Sequence, residues 1–271
     1  MIRDITIGQY FPGKSPIHKM DPRVKILLSL AYIVMLFVAR NIPALLVGVV
    51  FALMCYLISR IPLKMILKSL KPIVPIVVFT AILNMLFVDG RVLWEWYFIK
   101  ITYEGVMTAV LMSIRIISLI AGTTLLTYTT SPIALTDGIE RLHGPLKKIK
   151  LPVHELAMMM TIALRFIPTL IEETDKIISA QKARGADMET GSLMQRAKAL
   201  VPILIPLFVS SFRRADELAL AMECRCYRGD VGRTRMKQLK MSWRDTVGTL
   251  VMAAVLVLVI WINFILPPVL G

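Results

Sequence analysis

Two arginines stand at matching places in this chain. Asp175, Ala180 and Arg184 recur 41 residues later as Asp216, Ala221 and Arg225. Small residues flank both arginines, Ala183 and Gly185 around the first and Cys224 and Cys226 around the second, which lets another backbone approach closely. A guanidinium so placed has a defined chemistry. Its planar fork donates paired hydrogen bonds to carboxylates and carbonyls, with a geometry that a point charge cannot reproduce. The simpler account of either arginine alone is helix capping, in which Arg complements the helix dipole by about 0.3–1 kcal/mol and Gly supplies a left-handed residue. Two in register, each closing a long helix, point instead to paired docking tips.

Other chemistry finds little support. The three histidines, His18, His143 and His154, lie far apart, and Cys55, Cys224 and Cys226 are too few and too badly spaced for a disulfide framework or a structural zinc site. No HExxH, CxxC or GxSxG motif occurs, and no GxxxxGK[ST] phosphate loop. No catalytic residue, cofactor or metal site is therefore expected.

The elements that carry the two tips are long. One helix starts at Pro152-Val153-His154-Glu155 and runs to Arg184-Gly185. Another starts at the capping box Ser192-Leu193-Met194-Gln195 and runs to about Tyr227-Arg228-Gly229. Each measures roughly 45–50 Å at 1.5 Å per residue. A shorter helix begins at Ser131-Pro132 and ends near His143-Gly144-Pro145.

The rest of the chain belongs to a bilayer. Its 271 residues are 56% hydrophobic and only 18% charged, with a mean hydropathy of +0.70, whereas soluble domains carry about 25% charged residues. Five segments, 23–39, 43–59, 72–88, 103–127 and 246–266, are long and apolar enough to span about 30 Å of hydrocarbon. Residues before about Val24 are polar, so no cleavable signal peptide is expected. The net charge of +14 sits in particular loops. Arg3, Lys14, Lys19, Arg23 and Lys25 precede or open the first span, and Arg60, Lys64, Lys68 and Lys71 separate the second from the third. The connection 89–102 has only Arg91 and Lys100, whereas 128–245 holds 19 basic residues. The positive-inside rule then places the N-terminus inside and the C-terminus outside. Basic stretches interleaved with aromatics on a soluble domain are absent, so nucleic acid is not an expected partner.

The two long helices have apolar centres, and a seven-span arrangement is the alternative. Arg165, Pro168, Pro202 and Pro206 interrupt those centres, and a crossing would carry Lys176, Lys182, Arg184, Arg196 and Lys198 outside. Leu156, Met160, Ala163, Ile167, Leu170 and Ile177 recur instead at helical spacing, as one buried stripe. The expected architecture is an all-α membrane protein with five transmembrane helices plus a cytoplasmic-side domain of long amphipathic coupling helices, kinked at their prolines. Its parts are an N-terminal membrane domain over 1–127, the coupling-helix domain over 128–245, and a C-terminal transmembrane helix over 246–271.

Four stretches carry a family resemblance: Ser15 to Lys25 (SPIHKMDPRVK), Leu164 to Pro168 (LRFIP), Ala180 to Gly185 (AQKARG) and Arg214 to Glu223 (RADELALAME). On these the chain resembles, over essentially its whole length, the transmembrane coupling (T) components of energy-coupling factor transporters, a branch of the ATP-binding-cassette importers. The resemblance implies two Ala-Arg-Gly signatures whose arginines dock in grooves of two ATP-binding subunits. The first maps onto Ala183-Arg184-Gly185 unchanged. The second maps onto Cys224-Arg225-Cys226, keeping the arginine and replacing both neighbours. It also implies a complex of four: this chain, two ABC-type ATP-binding subunits, and a small exchangeable substrate-binding membrane subunit for a vitamin or a cobalt or nickel ion, in a bacterial cytoplasmic membrane. Met158, Met159 and Met160 suit a surface that accepts several such subunits, or equally plain core packing. A self-contained secondary transporter is the rival, but it would carry ionisable groups inside its spans. The five spans hold no interior Asp, Glu or His, and only Arg115 lies well inside one.

Overall fold

Asp21 opens the first helix by accepting a hydrogen bond from the Arg23 N–H at 2.9 Å, with Pro22 in the first turn where its missing N–H costs nothing. The structure is a computed structural model describing residues 10–96, 99–145, 152–186, 192–229 and 238–266. In order come α1 (Pro22–Val38), α2 (Ile42–Ser59), α3 (Leu63–Leu70), a 3-10 turn (Lys71–Ile73), α4 (Val74–Phe87) and a hairpin of β1 (Val92–Trp96) and β2 (Ile99–Thr102). There follow α5 (Tyr103–Thr129), α6 (Pro132–Leu142), α7 (Val153–Ala183), α8 (Leu193–Cys224) and α9 (Trp243–Ile265). The chain divides into two units, Gly8–Arg141 with Gln238–Gly271, and Leu142–Lys237.

The first unit is a bundle of α1, α2, α5 and α9 around Tyr32, Met35, Leu36, Leu45, Leu111 and Val259. Tyrosine hydroxyls satisfy themselves on neighbouring backbones: Tyr32 donates to the Gly48 carbonyl at 3.2 Å, Tyr56 to Ala121 at 2.6 Å, and Tyr128 to Met65 at 3.0 Å. In hydrocarbon such bonds join helices where water offers no competing partner. A Cβ on Gly48 would sit 2.7 Å from Leu36 Cδ2, so glycine is what lets α1 and α2 approach. No residue of α4 is buried in the chain itself, as befits a helix facing lipid or another subunit.

Two expectations from sequence need correction here. The third span, expected over 72–88, is longer and broken: α3 is a helix where a basic loop was expected, and Leu63–Phe87 is one helical stretch long and apolar enough to cross a membrane, with Lys64, Lys68 and Lys71 in its first part. Pro72 and Pro75 each remove an intrahelical donor, and the ladder tightens to a 3-10 turn around Pro72. The connection 89–102 is a β-hairpin rather than a loop. Its Trp and Ile residues favour strands.

Five helices are long and apolar enough to cross a membrane among the described residues: Ile42–Ser59, Leu63–Phe87, Tyr103–Thr129, Val153–Ala183 and Trp243–Ile265. Four coincide with expected spans. The set gains α7, whose hydropathy of 1.3 is the lowest of the five, and omits α1, which has 17 residues. At 1.5 Å per residue α1 reaches about 25 Å, a mismatch of a few ångströms that a bilayer accommodates. The fold is thus an all-α membrane protein with one small hairpin.

Arg115 has a clear job. The end of α1 leaves carbonyls without intrahelical partners, and Arg115 Nη2 donates to the Ala39 carbonyl at 2.7 Å while Asn263 Nδ2 donates to Val38 at 2.8 Å. The arginine inside the fourth span is a C-cap supplied from another helix.

Before α1, His18 folds residues 11–18 into a knot. Its Nε2–H donates to the Phe11 carbonyl at 3.0 Å, and its Nδ1 accepts from Ser15 Oγ at 2.7 Å. Burial lowers the pKa of His18 below its ordinary 6.5, opposed by the Phe11 bond and aided by the charge of Lys25. The unfolded chain therefore binds more protons just below pH 6.5, and stability rises with pH through that window. The contribution is complete above about pH 6.5 and is lost as pH falls toward the lowered folded value. Thermal melts of the detergent-purified protein should show this acid-side slope, and a His18→Gln variant should lack it.

Candidate functional site: two matched helix tips

The helices α7 and α8 form an antiparallel pair, and the contacts between them give the register. Gln181 Nε2 on α7 donates to the Pro202 carbonyl on α8 at 3.3 Å, and Arg214 Nη2 on α8 pairs with Glu173 Oε2 on α7 at 3.1 Å. Farther along, Ile162, Arg165 and Phe166 share a cleft of about 360 Å³ with Leu218, Ala221 and Arg225. Positions on α7 thus fall as those on α8 rise.

The Gln181 bond has a cause in the sequence. The Pro202 carbonyl would normally accept from residue 206, but Pro206 has no N–H. The orphaned acceptor is filled from the neighbouring helix. This pairing was not anticipated, although the Pro202-x-x-x-Pro206 spacing carries the signal. Both prolines lie within the continuous helix α8, as Pro168 lies within α7.

Each helix ends in the same hydrogen-bonded motif. After α7, the Gly185 N–H donates to Lys182 at 3.0 Å and the Ala186 N–H to Gln181 at 3.0 Å. After α8, the Cys226 N–H donates to Glu223 at 2.8 Å and the Tyr227 N–H to Met222 at 3.0 Å. These are Schellman caps, and they are offset by the same 41 residues that separate the arginines. Arg184 and Arg225 occupy the equivalent cap positions. Gly185 has φ +84° and Cys226 has φ +57°. The second helix therefore stops at Cys224, a few residues before the expected Gly229, because Cys226 adopts the left-handed conformation where a glycine was unavailable.

That conformation costs an L-residue roughly 1–2 kcal/mol, partly offset because glycine loses about 0.5–1 kcal/mol more backbone entropy on folding. Cys226→Gly should then firm the tip by about 0.5–1 kcal/mol, slowing amide exchange of the Tyr227 N–H roughly two- to fivefold. Hydrogen-exchange mass spectrometry over 222–229 reads this directly.

All six candidate residues, Ala183, Arg184, Gly185, Cys224, Arg225 and Cys226, are solvent-exposed. Among the described residues neither Arg184 nor Arg225 has a side-chain hydrogen-bond or ion-pair partner, and capping is done by backbone N–H groups. The structure does not bring the two tips together. Arg225 lies beside Arg165 in the cleft, while Arg184 is 19 residues farther along α7, about 30 Å away at 1.5 Å per residue. Arg165 thus adds a second cation beside the Arg225 tip. Among the described residues no cluster of three His, Cys, Asp or Glu is placed to hold a metal ion.

Comparison with known proteins adds what geometry alone does not. The model of the cobalt transport protein (CbiQ) family matches residues 13–238. The chain is 60% identical over 252 residues to the energy-coupling factor transporter transmembrane protein EcfT of Clostridium kluyveri, covering 92% of this chain and 93% of that one. It is 57% identical over 249 residues to the EcfT of Ruminiclostridium cellulolyticum, with the same coverage. It is 53% identical over 265 residues to that of Thermosediminibacter oceani, covering 96% of this chain and 100% of the relative.

Proposed function

The chain belongs to the CbiQ family, among the transmembrane proteins of energy-coupling factor transporters, and from that premise we propose that it is the non-catalytic subunit transmitting ATPase motion to a separate substrate-binding membrane subunit. One observation carries the reading. Two matching caps present two arginines, without a side-chain partner among the described residues, at opposite ends of one antiparallel helix pair. A spacing of about 30 Å suits one docking site on each of two ATP-binding subunits and is too wide for a single groove. The pair is then a lever gripped at both ends.

Leu200, Leu204, Ile205, Phe208 and Phe212 form an exposed apolar row along α8. Exposed patches of this kind mark partner or membrane contacts, and this row is the proposed seat of the substrate-binding subunit. The substrate is a vitamin or other micronutrient, with a cobalt- or nickel-type system as the alternative, and selectivity resides in that other subunit. The N-terminus is cytoplasmic, the C-terminus external, and the region 128–245 lies on the cytoplasmic side of a bacterial cell membrane. Co-purification tests the assignment: tagged wild-type chain should retain two cassette ATPases, and their absence from a folded preparation would refute it.

A further inference from the structure

A buried polar cluster gathers four separate parts of the first unit at one place. The Asp245 carboxylate, 2% exposed, accepts from the Asp21 N–H at 2.8 Å through Oδ1 and from the Ser242 N–H at 2.7 Å through Oδ2. It therefore ties the start of α9 to the start of α1. Lys25, 6% exposed, spends all three ammonium donors on backbone and hydroxyl oxygens: the His18 carbonyl at 3.2 Å, the Thr129 carbonyl at 2.9 Å and Thr130 Oγ1 at 3.2 Å. Lys25 thus caps the end of α5 from α1. Between them Arg23 holds the Asp21 carboxylate at 2.8 Å and also donates to the Leu239 carbonyl at 3.3 Å.

The position of this cluster along the chain gives it meaning. The chain leaves the first unit after Arg141, at the end of α6, and re-enters at Gln238. Near the first exit, a Cβ on Gly138 would lie 3.0 Å from Pro22 Cβ, so α6 packs directly on the start of α1. At the re-entry, Leu239 is held by Arg23. Both connections to α7 and α8 are therefore rooted on residues 21–25. A structural account alone would need only that the ends be satisfied. It does not require one buried lysine and one buried carboxylate to tie three helix ends together, since burying charge is expensive unless every partner is supplied.

We propose that Lys25 and Asp245 are positioning residues of energy coupling: they clamp the roots of both connections, so that a displacement of α7 and α8 moves α1, α5 and α9 together instead of being absorbed at the joints. The proposal rests on the coupling function proposed above. Two-state elements joined by packed, hydrogen-bonded contacts carry coupling, whereas loose joints dissipate it.

The test uses the complete complex in liposomes, measuring ATP hydrolysis and substrate uptake together. With Lys25→Met, the ATP-binding subunits should co-purify as with wild type and hydrolysis should continue, while uptake per ATP falls roughly tenfold, within the range by which residues between sites modulate coupling. Lys25→Arg should restore part of the ratio, because the charge and donors return. A merely structural role would lower the yield of complex and leave uptake per ATP unchanged. That result overturns the proposal. If Lys25→Met does not accumulate, Thr130→Val decides: it removes one near-isosteric acceptor, should lower the ratio about threefold, and an unchanged ratio likewise overturns the proposal. Failure of the wild-type chain to retain the ATPases would instead refute the coupling function itself.

Discussion

Replacing Arg184 and Arg225 together by alanine is expected to release both ATP-binding subunits while the chain still inserts and folds. Removing a hydrogen-bonded charged anchor from an interface typically costs 2–5 kcal/mol. At 1.4 kcal/mol per decade, each loss weakens its own contact about 30- to 4,000-fold. Because the tips lie about 30 Å apart on the helix pair, the two losses fall on separate partners and should be nearly additive. Arg184→Ala alone should leave one partner held, reducing transport more than assembly. Lysine at either site should rescue only in part, because a point charge lacks the planar fork. The capping account forecasts otherwise. A dipole contact is worth about 1 kcal/mol or less, and here backbone N–H groups already close both helix ends. Pull-down of the ATPases with the single and double variants decides the matter. Wild-type retention by the double variant would reduce both arginines to solvated helix ends.

Much of this site could be read from sequence because its signals are local. Arg184-Gly185 is a cap signature in its own right, and Ser192 with Gln195 forms the expected capping box, with the Ser192 N–H on Gln195 Oε1 at 2.9 Å. The constant offset then marked Arg225 as an equivalent of Arg184 even without a glycine. What could not be read was the partner of each group across the helix pair. The Gln181–Pro202 bond and the Arg165–Arg225 cleft depend on register between helices, and no local pattern states that. The same limit applied to SPIHKMDPRVK. Its residues were recognisable as a motif, but Asp21 and Lys25 find Asp245 and Thr129 more than a hundred residues away. Arg115 showed the limit from the other side. A charge inside an apolar span signals that a partner must exist, while only the fold identifies it as the Ala39 carbonyl.

Cysteine introduced at Gly271 is expected to label from outside intact cells with a membrane-impermeant maleimide, and cysteine at Gly191 only after permeabilisation. The argument turns on α7 and α8. The apolar centre of α8, residues 199–209, is about 16 Å long at 1.5 Å per residue, half of what the hydrocarbon core requires, and α8 is absent from the helices fit to span. The helix α7 is long enough, but Arg165 sits in its apolar centre, which costs about 2.5–3.5 kcal/mol at mid-membrane. A crossing by α7 alone would also invert everything after it, sending the basic residues of the α8 tip outside and the C-terminus inside. An amphipathic pair at the membrane surface avoids each of these costs. The two sites, in a background with Cys55, Cys224 and Cys226 replaced, separate the arrangements completely. Five spans with α7 and α8 inside give Gly191 protected and Gly271 labelled. Crossing by both helices gives both labelled, and crossing by α7 alone gives Gly191 labelled with Gly271 protected. Labelling of Gly191→Cys in intact cells at the level of Gly271→Cys would remove the α7 tip from the side where ATP is hydrolysed, and the docking function of Arg184 with it.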